Sequence, residues 1–156
     1  MGTNVINNEL GIDGLLITPL KQFHDERGAV FHYLRSDSSN FKKFGEAYFS
    51  IVKPSVVKGW KIHSQIHQNF CVPQGEIKFV VFDDRENSPS KGVIQEVILD
   101  NHKNYKLLSM PHGLWYSFKC ISPESAIISN IIDLPHTPEE SRVLPLITKE
   151  IPYVWK

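Results

Sequence analysis

At 156 residues the chain is long enough to bury one core and too short for two, so a single domain over residues 1–156 is expected. Its 17 lysines and arginines balance 17 aspartates and glutamates with no run of like charge, which argues against a nucleic-acid stripe or a membrane-surface patch. The two cysteines, Cys71 and Cys120, form neither a disulfide framework nor a zinc spacing, and no apolar run approaches membrane-spanning length.

In chain order, Met1 to Glu9 shows no basic region followed by an apolar one, so no export leader is read there, and a reducing, cytoplasmic setting is expected. Candidate strands follow: Leu15 to Lys21, Val30 to Leu34, Ala47 to Val52, Val56 to His63, Phe70 to Gln74, Ile77 to Phe82, Val93 to Leu99, Tyr105 to Met110, Leu114 to Ile121 and Ala126 to Ile132. Glycines and prolines fall between these runs, and a spacing of roughly ten residues is that of an all-β sandwich or barrel. Between the second and third strands, Ser36 to Phe44 opens on capping residues and ends at Gly45, which predicts a helical turn. The barrel is expected over about residues 14–133. Residues 134–156, with four prolines, form a polar excursion whose end, Ile151-Pro152-Tyr153-Val154-Trp155, is apolar enough to dock back.

Strand periodicity brings the unusual residues together. Lys61 and His63 are two apart and share a face. That face is either the barrel interior, where an unpaired ammonium is costly, or the wet side of an edge strand.

The spacing Lys61-x-His63, four residues, Gln68, six residues, Gly75 resembles the first metal-binding motif of the cupin β-barrels, and Pro111-His112-Gly113-Leu114-Trp115-Tyr116 resembles the turn that carries their last ligand. The resemblance implies a cupin jelly-roll barrel with short peripheral helical turns. Lys, Gln and Tyr stand where three of four ligands would be; only His63 is left, so no metal and no cofactor are expected. Gly75-Glu76, a strand, Asp83-Asp84-Arg85-Glu86-Asn87-Ser88-Pro89-Ser90-Lys91-Gly92 resembles the dTDP-4-dehydrorhamnose 3,5-epimerase family, as do Asp25-Glu26-Arg27-Gly28, Lys58-Gly59-Trp60 and Pro111 to Phe118. Alignment on Lys58-Gly59 puts Lys61 at that family's catalytic histidine and leaves no tyrosine in residues 133–138, where the family carries its catalytic Tyr. Over Lys58 to Gly75 the chain is also similar to the dTDP-4-keto-6-deoxyhexose 3,4-ketoisomerases, with His63 at their second His.

Both groups imply an isomerase that enolises a nucleotide-linked 4-keto-6-deoxy sugar for surface glycan synthesis. Such chemistry needs a base that titrates near neutrality and a donor for the developing oxyanion. His63 suits the first. Lys61 either holds the enolate oxygen as a cation or serves as base if desolvated, and Tyr116 is the remaining proton donor. Against these stand a satisfied core histidine, a pocket-mouth charge and a packing aromatic. The resemblance implies Arg27 and Lys58 for the diphosphate, with a solvated salt bridge to Asp25 or Glu26 as their other reading. Gln68 is a further candidate for substrate binding, and Asn130, on the last candidate strand, is placed to point inward toward the sugar. Arg85 reads as a residue that holds a barrel corner. A sugar cupin that binds without catalysis is the second class of function, and a metal-dependent cupin enzyme the third. Both sugar groups imply a homodimer, for which the Leu15-Leu16-Ile17 run would supply an exchanged strand.

Overall fold

The computed structural model describes residues 11–156; the Met1 to Glu9 stretch read for a leader lies outside the described residues. In chain order the strands are β1 (Leu16–Pro19), β2 (Gln22–Asp25), β3 (Gly28–Phe31), β4 (Glu46–Val52), β5 (Val57–His63), β6 (Gln68–Gln74), β7 (Glu76–Asp83), β8 (Ile94–Asp100), β9 (Lys106–Met110), β10 (Leu114–Cys120), β11 (Ala126–Ile132) and β12 (Ser141–Val143). They form two five-stranded sheets, ordered β1-β9-β6-β11-β4 and β12-β5-β10-β7-β8, and a separate β2-β3 arm. Every pairing is antiparallel, which leaves alternate side chains on opposite faces. This is the all-β jelly roll that the strand spacing and cupin motif anticipate.

The core sits between the sheets. Phe70, Val72, Leu108, Met110 and Ile128 from one sheet meet Ile77, Phe79, Val81, Leu114 and Phe118 from the other. A second apolar cluster forms outside the β5-β10-β7 face, where Trp60, Val80, Phe82 and Trp115 are covered by Ile151, with Leu144, Leu146, Tyr153 and Trp155 packed around them. The C-terminal segment thus docks back as expected. Full burial of Ile151 contributes about 2 kcal/mol. Strand β7 is covered on both faces, which is why Ile77 to Phe82 reads as a run with little alternation.

Some expectations are corrected. Ser36 to Phe44 is not helical: Ser38 N–H donates to the Arg35 carbonyl and Phe41 N–H to the Ser38 carbonyl, two successive turns. Short polar side chains in Ser-Asp-Ser-Ser-Asn offer the backbone local alternatives to a helix. The described helical element is instead the 3-10 turn Pro138–Glu140. Leu15 and Ile17 are buried in this chain's own core and β1 pairs with β9, so the Leu15-Leu16-Ile17 run is already used at home. The exposed arm is β2-β3; β2 was not anticipated because Gln-Phe-His-Asp carries no apolar face. Strand β4 reverses its pattern, with Phe49 and Ile51 outside at 75% and 63% exposure and Tyr48 and Ser50 turned inward.

The approach of β5 to β10 depends on Gly59. Its φ is +129°, and a Cβ there would lie 2.5 Å from Ser117 Cβ and 2.9 Å from the Tyr116 carbonyl oxygen. The ladder shifts register at the same point, between Tyr116 and Ser117. Gly59→Ala is expected to cost about 3 kcal/mol and to lower the melting temperature by about 10 °C. A calorimetric shift under about 3 °C would show that β10 yields at this point.

Candidate active site

A cavity of about 210 Å³ lies between the sheets, lined by Tyr48 and Ser50 of β4, Lys58, Gly59 and Lys61 of β5, Phe70 of β6, Tyr116 and Phe118 of β10, and Ile128 and Asn130 of β11. Strand alternation supplies these residues. On β5, Trp60 and Ile62 face the C-terminal cover, so Lys61 and His63 turn inward. Of the two faces open to Lys61 and His63 in the sequence, the interior is the one observed. Among the described residues neither Lys58 nor Lys61 has an ion-pair partner; Lys58 Nζ donates to the Ile51 carbonyl at 3.0 Å.

His63 does not reach the cavity wall. It lies behind Tyr116, with Nε2 3.3 Å from the Tyr116 hydroxyl and Nδ1 2.6 Å from Glu140 Oε1. The side chains of His63 and Glu140 are 2% and 7% exposed. The other Glu140 oxygen accepts the backbone N–H groups of Gln65 and Ile66, each at 2.9 Å. Burial pushes the imidazole pKa down against the pull of Glu140, so His63 rests neutral, donating Nδ1–H to the carboxylate. Burial pushes Glu140 up, yet the bonds from His63, Gln65 and Ile66 outweigh it and hold the carboxyl below its ordinary value. The result is a carboxylate, an imidazole and a phenol in line.

Beyond Tyr116 the network continues. Its single O–H proton has two acceptors at 3.3 Å, the lone pair of His63 Nε2 and Gln68 Oε1; Asn130 Nδ2 donates to the same Gln68 oxygen and to the Tyr48 hydroxyl, both at 3.0 Å. Burial drives the Tyr116 phenol far above its usual pKa, so a free phenolate there is excluded near neutrality. Asn130 Oδ1 is buried with no partner among the described residues.

The structure therefore brings Lys61, Tyr116, Lys58 and Asn130 to one cavity, with His63 and Gln68 directly behind. Arg27 stands apart, at the tip of the β2-β3 arm, 83% exposed and paired with Asp25 at 2.6 Å. Arg85 holds a corner, as read: it forks onto Asp83 and donates to the Asp13 carbonyl. Two residues of the site carry no mark in the sequence. Glu140 lies 77 positions from His63, in the polar C-terminal excursion, and no local spacing marks it. Tyr48 was hidden because β4 carries its apolar residues outward. Larger cavities of about 290, 360 and 640 Å³ are lined by none of Tyr48, Lys61, His63, Gln68, Tyr116, Asn130 and Glu140. Among the described residues no group of three His, Cys, Asp or Glu side chains is placed to hold a metal ion.

Comparison with known proteins shows the family of the chain. Residues 9–156 match the family described as dTDP-4-dehydrorhamnose 3,5-epimerase. The crystal structure of a dTDP sugar isomerase from Desulfovibrio desulfuricans superposes with a TM-score of 0.92 at 42% identity, covering 94% of this chain and 93% of that one. A probable low-salt glycan biosynthesis epimerase of Haloferax volcanii is 33% identical over 126 residues, 76% of this chain and 79% of the relative. A spore coat polysaccharide biosynthesis protein of Bacillus subtilis is 27% identical over 147 residues, 92% and 96% of the two chains. The chain belongs to the dTDP-4-dehydrorhamnose 3,5-epimerase family.

Proposed function

We propose that the protein is a metal-independent sugar epimerase that enolises a nucleotide-linked 4-keto-6-deoxy hexose, dTDP-linked in this reading, for the synthesis of a surface glycan. The observation that carries it is the convergence, in a member of this family, of two ammonium groups without ion-pair partners among the described residues and a carboxylate–imidazole–phenol line on one cavity. The proton next to the sugar carbonyl passes to the Tyr116 oxygen while Tyr116 gives its own proton to His63 Nε2. The charge ends on an imidazolium beside Glu140, and no free phenolate forms. Lys61 supplies a cation for the enolate oxygen. Lys58 holds the diphosphate, and Gln68 and Asn130 shape the sugar subsite.

The reading includes a cytoplasmic homodimer. The exposed Phe49 and Ile51 on β4 favour a covered face, and Arg27 lies outside this chain's cavity, so its contact with a diphosphate requires the arm of a second copy. The test is incubation with dTDP-4-keto-6-deoxyglucose in deuterated water, followed by proton NMR and mass spectrometry. Deuterium is expected beside the carbonyl, and His63→Asn is expected to slow its entry on the order of 10³-fold while dTDP still binds. Binding without exchange by the unaltered protein would favour a non-catalytic sugar cupin instead. Deuterium delivered with movement of the keto group would identify a 3,4-ketoisomerase.

A further inference from the structure

An epimerase must return a proton to the face of the enolate opposite the one that lost it. The family's tyrosine is missing from residues 133–138, and the Tyr116 hydroxyl is engaged by both His63 and Gln68. We propose that Tyr48 is the second proton-transfer group, a catalytic acid delivering its phenolic proton to the enolate carbon from the wall facing Tyr116; this rests on the isomerase reading above.

Tyr48 belongs to β4, in the first sheet, whereas Lys61 and Tyr116 belong to β5 and β10 of the facing sheet, and all three line the same cavity. A flat enolate held between them presents one face to the Tyr116–His63 relay and the other to Tyr48. The Tyr48 oxygen already accepts a hydrogen bond from Asn130 Nδ2 at 3.0 Å, and among the described residues nothing accepts its O–H, so that proton is free to point into the cavity. Register fixes the pair, since Tyr48 lies directly opposite Asn130 on β11. Asn130 also has a buried Oδ1 with no partner among the described residues, an acceptor available to a sugar hydroxyl.

The step balances without a co-reactant. The enolate C=C electron pair forms the new C–H bond, the carbonyl is restored, and the Tyr48 O–H bond breaks. The resulting phenolate, which burial disfavours, is held by the Asn130 N–H only until solvent reprotonates it. His63 meanwhile carries the proton taken from the other face, so the cycle closes when solvent removes one proton from His63 and returns one to Tyr48.

The experiment compares Tyr48→Phe with the unaltered protein on dTDP-4-keto-6-deoxyglucose in deuterated water, scoring epimer product and deuterium in recovered substrate separately. The variant is expected to lose epimer formation by at least about 100-fold while its substrate still takes up deuterium within about tenfold of the unaltered rate. An unchanged dTDP affinity and melting temperature identify the variant as folded. Epimer formation at the unaltered rate would overturn the assignment to Tyr48. Loss of exchange together with product in a folded variant would also overturn it, by making Tyr48 a partner of the enolate oxygen. If the unaltered protein exchanges nothing, the isomerase reading itself fails, an outcome the variant does not affect.

Discussion

Glu140→Gln is expected to lower turnover on the order of 10³-fold while leaving dTDP affinity within about threefold. The carboxylate accepts from His63 Nδ1, Gln65 N–H and Ile66 N–H and has no donor of its own. A glutamine must aim its amide N–H₂ at one of these donors. Either a backbone N–H is left facing a donor, or the imidazole loses its acceptor and with it the tautomer that presents a lone pair at Nε2. Single-turnover rates beside dTDP titration give the answer. A rate within threefold of the unaltered protein would mean that Glu140 only fastens the C-terminal segment to the barrel.

The same pair sets a pH dependence with a definite sign. His63 has its folded pKa lowered from 6.5, so its contribution to stability is complete above that value and is lost as pH falls below it toward the depressed folded value. Glu140, lowered from 4.5, adds a second loss as pH falls below that figure. Melting temperature is therefore expected to decline steadily from about pH 7 to about pH 4, and His63→Asn to flatten the upper half of that decline. Activity follows the same direction, because a protonated imidazole cannot take the relayed proton.

Asp83→Ala is expected to cost about 3 to 5 kcal/mol and to lower the melting temperature by about 10 to 15 °C. Asp83 is fully buried at the end of β7. Its carboxylate accepts from the Arg85 backbone, the Arg85 guanidinium and the Ser88 and Ser90 hydroxyls. Burial alone would raise its pKa, but these donors outweigh it and hold the carboxyl well below the ordinary range. Its removal leaves a guanidinium and two hydroxyls without their common acceptor, and loosens the Arg85 bond to the Asp13 carbonyl and the Ser90 bond to the Asp13 N–H. A change under about 1 kcal/mol in chemical denaturation would show that the loop re-forms around Arg85 alone.

Ten candidate strands correspond to ten of the observed ones, with most ends shifted by one or two residues, because glycines, prolines and polar turns interrupt short apolar runs that have no other use. Lys61, His63, Gln68 and Tyr116 were legible as a group through their resemblance to the cupin motif, while the inward direction of Lys61 and His63 came from the packing of Trp60 and Ile62 on the other face of β5. Less was legible wherever a residue's environment comes from far along the chain. β4 is the clearest case: Ala47, Phe49 and Ile51 form its more apolar side, yet that side is open in the described chain and the side of Tyr48 and Ser50 looks into the cavity.

The sequence by itself determined the β architecture and that Lys61 and His63 share one side of β5. Both follow from local spacing and a two-residue period. The tertiary structure alone decided that His63 is backed by Glu140, that Tyr116 stands between His63 and the cavity, and that Tyr48 faces them from the other sheet. Those relations join positions 77, 53 and 68 residues apart along the chain, and no period within a strand encodes which distant strand or turn will be packed against it.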